Sequence, residues 1–97
     1  MALTQQQKKR LRGLGHRLRP VVRVGNAGLS PALLAEFDRA LEHHELMKVK
    51  IQAGDRETRQ AFMEALRRHS GAELVQHTGN MGLLFKRRAR NSRFATL

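Results

Sequence analysis

Between Pro20 and Pro31 the chain reads Pro-Val-Val-Arg-Val-Gly-Asn-Ala-Gly-Leu-Ser-Pro, and few folds accept that order. The β-branched run Val21–Val24 predicts a strand with Val22 and Val24 on one face and Arg23 on the other. Ser30 suits a helix N-cap, and Pro31 suits the first helical position, where a missing N–H costs nothing. The strand must therefore end at Gly25, with Gly25-Asn26-Ala27-Gly28 joining it to a helix. Two glycines there allow φ > 0 and bring backbone amides close to a ligand, beside the positive end of a helix dipole. That combination suits a phosphate.

The flanking segments set the rest of the order. Thr4 and Gln7 have capping-box spacing for a helix over about 4–14, with Leu3, Leu11 and Leu14 as its buried side and Gly13 and Gly15 weakening its continuation. Pro31 to about His44 has Leu33, Leu34, Phe37, Ala40 and Leu41 at helical period. Leu46–Ile51 alternates strictly, Met47, Val49 and Ile51 inward and Lys48 and Lys50 outward, as in a sheet with one covered and one partly open face. Asp55 caps a helix running to about His69, with Thr58, Phe62, Ala65 and Leu66 inward and Gly71 just past its end. Glu73–Thr78 and Leu83–Arg87 flank Gly79-Asn80-Met81-Gly82 and predict a hairpin. The fold class is α/β, in the order α-β-α-β-α-β-β. It has a mixed four-stranded sheet, the second and third helices on one face, and the first helix alongside them or at an edge. Residues 1–87 form the domain, and 88–97 read as a basic, poorly ordered tail.

Charge narrows the function. Residues 1–35 hold seven Lys or Arg and no acidic residue, residues 36–73 hold seven against eight, and residues 74–97 hold five against none. The net charge of +11 therefore comes from the two ends of the chain, which points to a polyanion. No cysteine is present, so disulfide and thiolate chemistry are excluded. The apolar runs are too short for a membrane span, and no signal-type stretch opens the chain, so a cytoplasmic location is expected.

Several motifs offer chemistry that the residues do not complete. A second Gly-x-x-Gly, Gly79–Gly82, joins two strands and reads as turn geometry. The first lacks the Gly-Lys-Ser/Thr of a nucleotide-hydrolysing loop. His16, His43, His44, His69 and His77 lack metal-ligand spacing, Ser30 has no base partner, and Glu36, Asp38, Glu42 and Glu45 read as a solvated face. No catalysis, cofactor, metal or small-molecule substrate is expected. With neither Tyr nor Trp, and with Phe37 and Phe62 on buried helix faces, only Phe85 and Phe94 are left to stack on bases. Recognition should run through phosphates and shape, which favours structured RNA over duplex DNA. The expected contacts are Gly25, Asn26, Ala27 and Gly28 at the loop, with counter-charge from Lys8, Lys9, Arg12, Arg17, Arg19 and Arg23. Lys48 and Lys50 on the open sheet face come second. The rival reading is a membrane-surface or protein-interaction module using the basic first helix, whose thin apolar side argues against membranes.

The blocks Leu11-x-Gly13-Leu14-Gly15-His16-x-Leu18-x-Pro20-Val21-Val22-x-Val24-Gly25-x-x-Gly28-Leu29-Ser30 and Leu41-Glu42-His43-His44-Glu45-Leu46-x-Lys48-Val49-Lys50 agree in order and spacing with the YhbY family. The chain resembles these single-domain members of the CRM (chloroplast RNA splicing and ribosome maturation) class over about residues 3–87. The resemblance implies an RNA-binding domain similar in fold to the C-terminal domain of translation initiation factor three. It implies that Gly25-Asn26-Ala27-Gly28 is the RNA-binding loop, and that the partner is ribosomal RNA in precursors of the large subunit. The tail after Arg87 lies outside the shared pattern.

Overall fold

The computed structural model describes residues 3–97; the first two residues of the expected domain lie outside that range. The elements are α1 (Gln5–Gly15), β1 (Pro20–Val24), α2 (Pro31–His44), β2 (Leu46–Ile51), α3 (Arg56–Ser70), β3 (Glu73–Thr78) and β4 (Met81–Phe85), in the expected order. Each helix starts where its cap falls. Thr4 Oγ1 accepts from the Gln7 N–H at 3.1 Å while Gln7 Oε1 accepts from the Thr4 N–H at 2.8 Å. Ser30 Oγ accepts from the Leu33 N–H at 3.1 Å, and Asp55 Oδ1 from the Thr58 N–H at 2.7 Å. α3 ends on Gly71 in the left-handed conformation, φ 72°.

The sheet order is β1-β2-β4-β3, with β1 parallel to β2 and β4 antiparallel to both its neighbours. One face carries Val22, Val24, Met47, Val49, Ile51 and Leu84 under Phe37 and Leu41 of α2 and Met63 and Leu66 of α3. On α3 Leu66 is buried and Phe62 packs against the core as expected, but Met63 is buried beside them and Ala65 is exposed. Gly82 explains why: the Met63 side chain occupies the space a Cβ there would fill. Gly82 thus serves helix–sheet packing from within β4, and the hairpin turn is only Gly79-Asn80, with Gly79 at φ 60°. β4 accordingly starts and stops two residues before its expected span.

α1 takes neither of the expected positions. It lies on the opposite face of the sheet, where Leu11 is buried with Leu46, Val75, Leu83 and Phe85. The reason is in the strands themselves. That face is apolar at the Leu46–Phe85 end and carries Lys48, Lys50, Gln76 and Thr78 at the other, so a helix gains by covering only the first half. α1 also runs through Gly13 to Gly15 without breaking. A Cβ on Gly15 would stand 2.6 Å from Leu83 Cδ2, so the glycine is where helix and sheet touch. With Leu11 and Gly15 facing inward, Leu14 is carried to the side and is 47% exposed.

The segment 88–97, expected to lack order, is tied to the domain at defined points. Glu45 follows α2 at φ 64° with its side chain fully buried. Its carboxylate accepts from the Arg88 and Arg93 N–H groups, each at 2.8 Å, and from Ser92 Oγ. Phe94 stacks edge-to-face on Phe85 at 5.2 Å, and Leu97 joins the same cluster. A charged group this deeply buried requires partners, and here the C-terminal backbone provides them.

Candidate nucleic-acid interface

Gly25-Asn26-Ala27-Gly28 leaves the sheet at the C-terminal end of β1. Gly25, Asn26 and Ala27 are exposed, whereas Leu29 turns back to pack on the α2–α3 core. The Gly28 N–H donates to the Gly25 carbonyl at 3.0 Å, closing the loop as a turn. Only Gly28 takes a left-handed φ, 73°, and a Cβ there would meet the Phe62 ring at 3.3 Å. Gly25 has open space around it and no such φ, so the expectation that both glycines bend the backbone holds for one of them. The amides at the tip, Asn26 and Ala27, donate to no other described residue. The α2 terminus offers less: Ser30 satisfies Leu33 and Leu34, and Pro31 has no N–H, which leaves the first-turn amide of Ala32.

Beside this loop the register places Arg23 directly against Lys50, on the sheet face away from α2 and α3. Lys48 follows on the same face, its Nζ donating to the His16 carbonyl at 3.4 Å. Loop, Arg23, Lys50 and Lys48 therefore form one run that ends under the C-terminus of α1. Arg17 and Arg19 are exposed but precede β1, about 20 Å of extended chain from Gly25. Lys8, Lys9 and Arg12 belong to α1, whose Leu11 packs at the Leu46–Phe85 end. The cations expected to gather around the loop are thus strung along the second sheet face, the helix-borne group farthest away.

Two expectations about the ends of the chain change. Phe85 is 3% exposed and Phe94 lies against it, so neither offers a stacking platform. Part of the C-terminal positive charge is engaged in hydrogen bonds within the fold. Lys86 Nζ donates to the Ser70 carbonyl at 2.7 Å, and Arg88 Nη1 to the Glu42 and His43 carbonyls, each at 3.1 Å. These cations close the C-termini of α3 and α2, where the helix dipole favours them. Arg56 and Arg59, which the sequence does not single out, sit at the same end of the sheet as the loop. Their segment mixes both signs of charge and so carries no local sign of that position.

The remaining titratable groups support the scaffold. Burial opposes ionisation of Glu45, but the hydrogen bonds from Ser92, Arg88 and Arg93 together with the Arg88 guanidinium hold its carboxyl below the usual range. The Arg67 guanidinium, bonded to Glu64 at 2.5 Å, brings that carboxyl down to about 2. Burial, then the neighbouring His43 and Arg93, pushes the His44 imidazole down. His69 pairs with Asp38 at 2.9 Å. Among the described residues no group of three His, Asp or Glu side chains could hold a metal ion, and no helix is long and apolar enough to cross a membrane.

The same architecture occurs in known proteins. The solution structure of SAV1595 from Staphylococcus aureus is similar with a TM-score of 0.79 and 30% identity, over 94% of this chain and 95% of that one. The Pseudomonas aeruginosa protein named Probable RNA-binding protein PA4753 is 45% identical over 87 residues, 90% of this chain and 84% of the relative. A Haemophilus influenzae protein named RNA-binding protein is 45% identical over 84 residues, 87% of this chain and 85% of the relative. The model of the CRS1/YhbY (CRM) domain matches residues 3–86, which takes in the loop, the sheet and all three helices. On the fold, the loop and this match, the chain belongs to the CRS1/YhbY (CRM) domain family.

Proposed function

We propose that this protein binds RNA by its phosphate backbone, through the Gly25-Asn26-Ala27-Gly28 loop and the cations running from it along the sheet, and that it acts in assembly of the large ribosomal subunit. The observation that carries the proposal is the loop itself. Its two tip residues are exposed, their amides lack partners among the described residues, and they stand next to the paired Arg23 and Lys50. Relatives bearing the name RNA-binding protein point to the same ligand. The ribosomal assignment follows from the family resemblance. In this reading Gly25 permits close approach of the backbone, Asn26 and Ala27 meet a phosphate, and Arg23, Lys50 and Lys48 supply counter-charge. Arg17 and Arg19, then Lys8, Lys9 and Arg12, extend the contact along the RNA.

Ala27→Asp puts a carboxylate at the phosphate position without touching the core. RNA affinity should fall at least tenfold in a gel-shift assay, with the melting temperature unchanged within about 2 °C. Retained affinity in that variant would reduce the loop to a turn. With about five phosphates engaged, log affinity for single-stranded RNA should fall with log salt at a slope near −3.5. A slope near zero removes the backbone mechanism. Cross-linking in cells and sequencing of the bound RNA tests the ribosomal assignment.

A further inference from the structure

Across the same end of the sheet from the Gly25–Gly28 loop lies a cleft of about 290 Å³ between the first turns of α3 and the edge strand β3, lined by Arg56, Arg59, Gln60, His77 and Gly79. Its volume is several times that of a water molecule, enough for a solvated phosphate. Three buried side-chain nitrogens among the described residues have no hydrogen-bond partner, and two of them, Arg59 Nε and His77 Nε2, belong to residues lining this cleft. Buried polar atoms are nearly always paired, so these two nitrogens, on residues that line the cleft, lack an acceptor, which the protein itself does not supply.

The surroundings fix what that acceptor is. Arg59 is held in position by its own Nη1, which donates to the Gly54 carbonyl at 3.0 Å, leaving the Nε edge of the guanidinium uncommitted. Arg56 adds a second positive charge at the N-terminal end of α3. Among the described residues no carboxylate lines the cleft. The nearest acidic residues in sequence are Asp55, whose side chain caps Thr58 and whose charge is also stabilised by Arg59, and Glu57, which is exposed. Two arginines, one with an unpartnered Nε, beside a histidine that donates in its Nε2–H tautomer, suit a phosphate oxygen.

The cleft and the loop are mechanically one end of the molecule. The Gln52 N–H donates to the Val24 carbonyl and the Ile51 N–H to the Asn80 carbonyl, both at 2.7 Å, so the exit of β2 ties the loop to the hairpin turn. On α3, Phe62 lies one helical turn from Arg59 and supports Gly28 from below. From β1 to β3 is three strand spacings, about 14 Å, which a short RNA segment bridges. We propose that Arg56, Arg59 and His77 form a second phosphate-binding site, so that one RNA strand lies across the end of the sheet from the loop to the hairpin. The proposal rests on the RNA-binding reading above.

The test is RNA affinity as a function of salt for the full chain, with a short single-stranded RNA as probe. It compares the wild type with Ala27→Asp, with Gln60→Glu, and with the double variant Arg56→Gln/His77→Gln. Gln60 is exposed on α3, so Gln60→Glu adds a negative charge at the cleft and leaves the packing alone. The double variant should bind about tenfold more weakly at about 0.1 M salt, with a salt slope shallower by about 0.7 for each phosphate the cleft no longer neutralises. Gln60→Glu should weaken binding at least threefold, and its melting temperature should match the wild type. Wild-type affinity and slope in both cleft variants, beside abolished binding in Ala27→Asp, would overturn the second site and leave the loop standing. A wild-type chain with no salt-dependent RNA binding would overturn the loop reading, and this site with it.

Discussion

Gly25 and Gly28 bracket one loop and do different things. Gly28 holds a left-handed φ over the Phe62 ring, so Gly28→Ala should cost about 1–2 kcal/mol in urea unfolding. Gly25 has neither constraint. Gly25→Ala should therefore unfold like the wild type; if the added methyl lowers RNA affinity, backbone approach at Gly25 is part of binding. Glu45 is the other residue whose surroundings decide its role. It keeps a positive φ that a non-glycine residue adopts at some cost, and its carboxylate is held by Arg88, Ser92 and Arg93. Glu45→Ala leaves those donors buried without an acceptor and should cost about 3 kcal/mol, measured by chemical denaturation.

At the scale of elements, α1 and the C-terminal segment together cover the apolar half of the second sheet face, and each depends on the other. The Gln7 side chain donates to the Leu97 carbonyl at 3.3 Å, and Leu3, Phe94 and Leu97 share the cluster around Leu11 and Phe85. Removing residues 88–97 uncovers Phe85 and strips Glu45 of its partners. The truncated chain should melt at least 8 °C lower, and a dye that reports exposed apolar surface should bind to it. α1 itself was legible in its capping box, because that signal is local. Its position was not, because the choice of sheet face is set by strands that come later in the chain and by the absence of a Cβ at Gly15. The Met63 position on α3 is a similar case: residue period alone put Ala65 inward, and the space above Gly82 decided otherwise.

For the whole molecule, charge on the surface and charge used within the fold have to be counted separately. Lys86 and Arg88 close helix ends, while the run beside the loop has Arg23 exposed and Lys50 and Lys48 half-buried. The acid side of the stability profile follows from the groups whose pKa falls on folding. His44 has its pKa lowered on folding, so its contribution is complete above the ordinary histidine value of 6.5 and declines as pH falls below it. Glu45, lowered from 4.5, contributes fully above that value and loses its contribution as pH falls further, while solvent screening leaves the exposed Glu64–Arg67 pair a small share of the same trend. Thermal melts should therefore show stability declining gently from about pH 6.5 and steeply below about 4.5. His44→Gln should flatten the first part only.

What the linear order of residues determined by itself was everything written in short-range chemistry. Caps at Thr4, Ser30 and Asp55 set where the helices begin, the alternation at Met47–Ile51 set a two-faced strand, and the glycine-bounded loop ahead of Ser30-Pro31 set a strand-to-helix crossover. These depend on neighbours within a few positions. The tertiary structure alone decided which sheet face α1 covers, that Glu45 fastens residues 88–97, and that Arg56, Arg59 and His77 stand at the same end as the loop. Each of those outcomes depends on groups brought together from distant parts of the chain, whose burial and pairing energies do not exist until the sheet has formed.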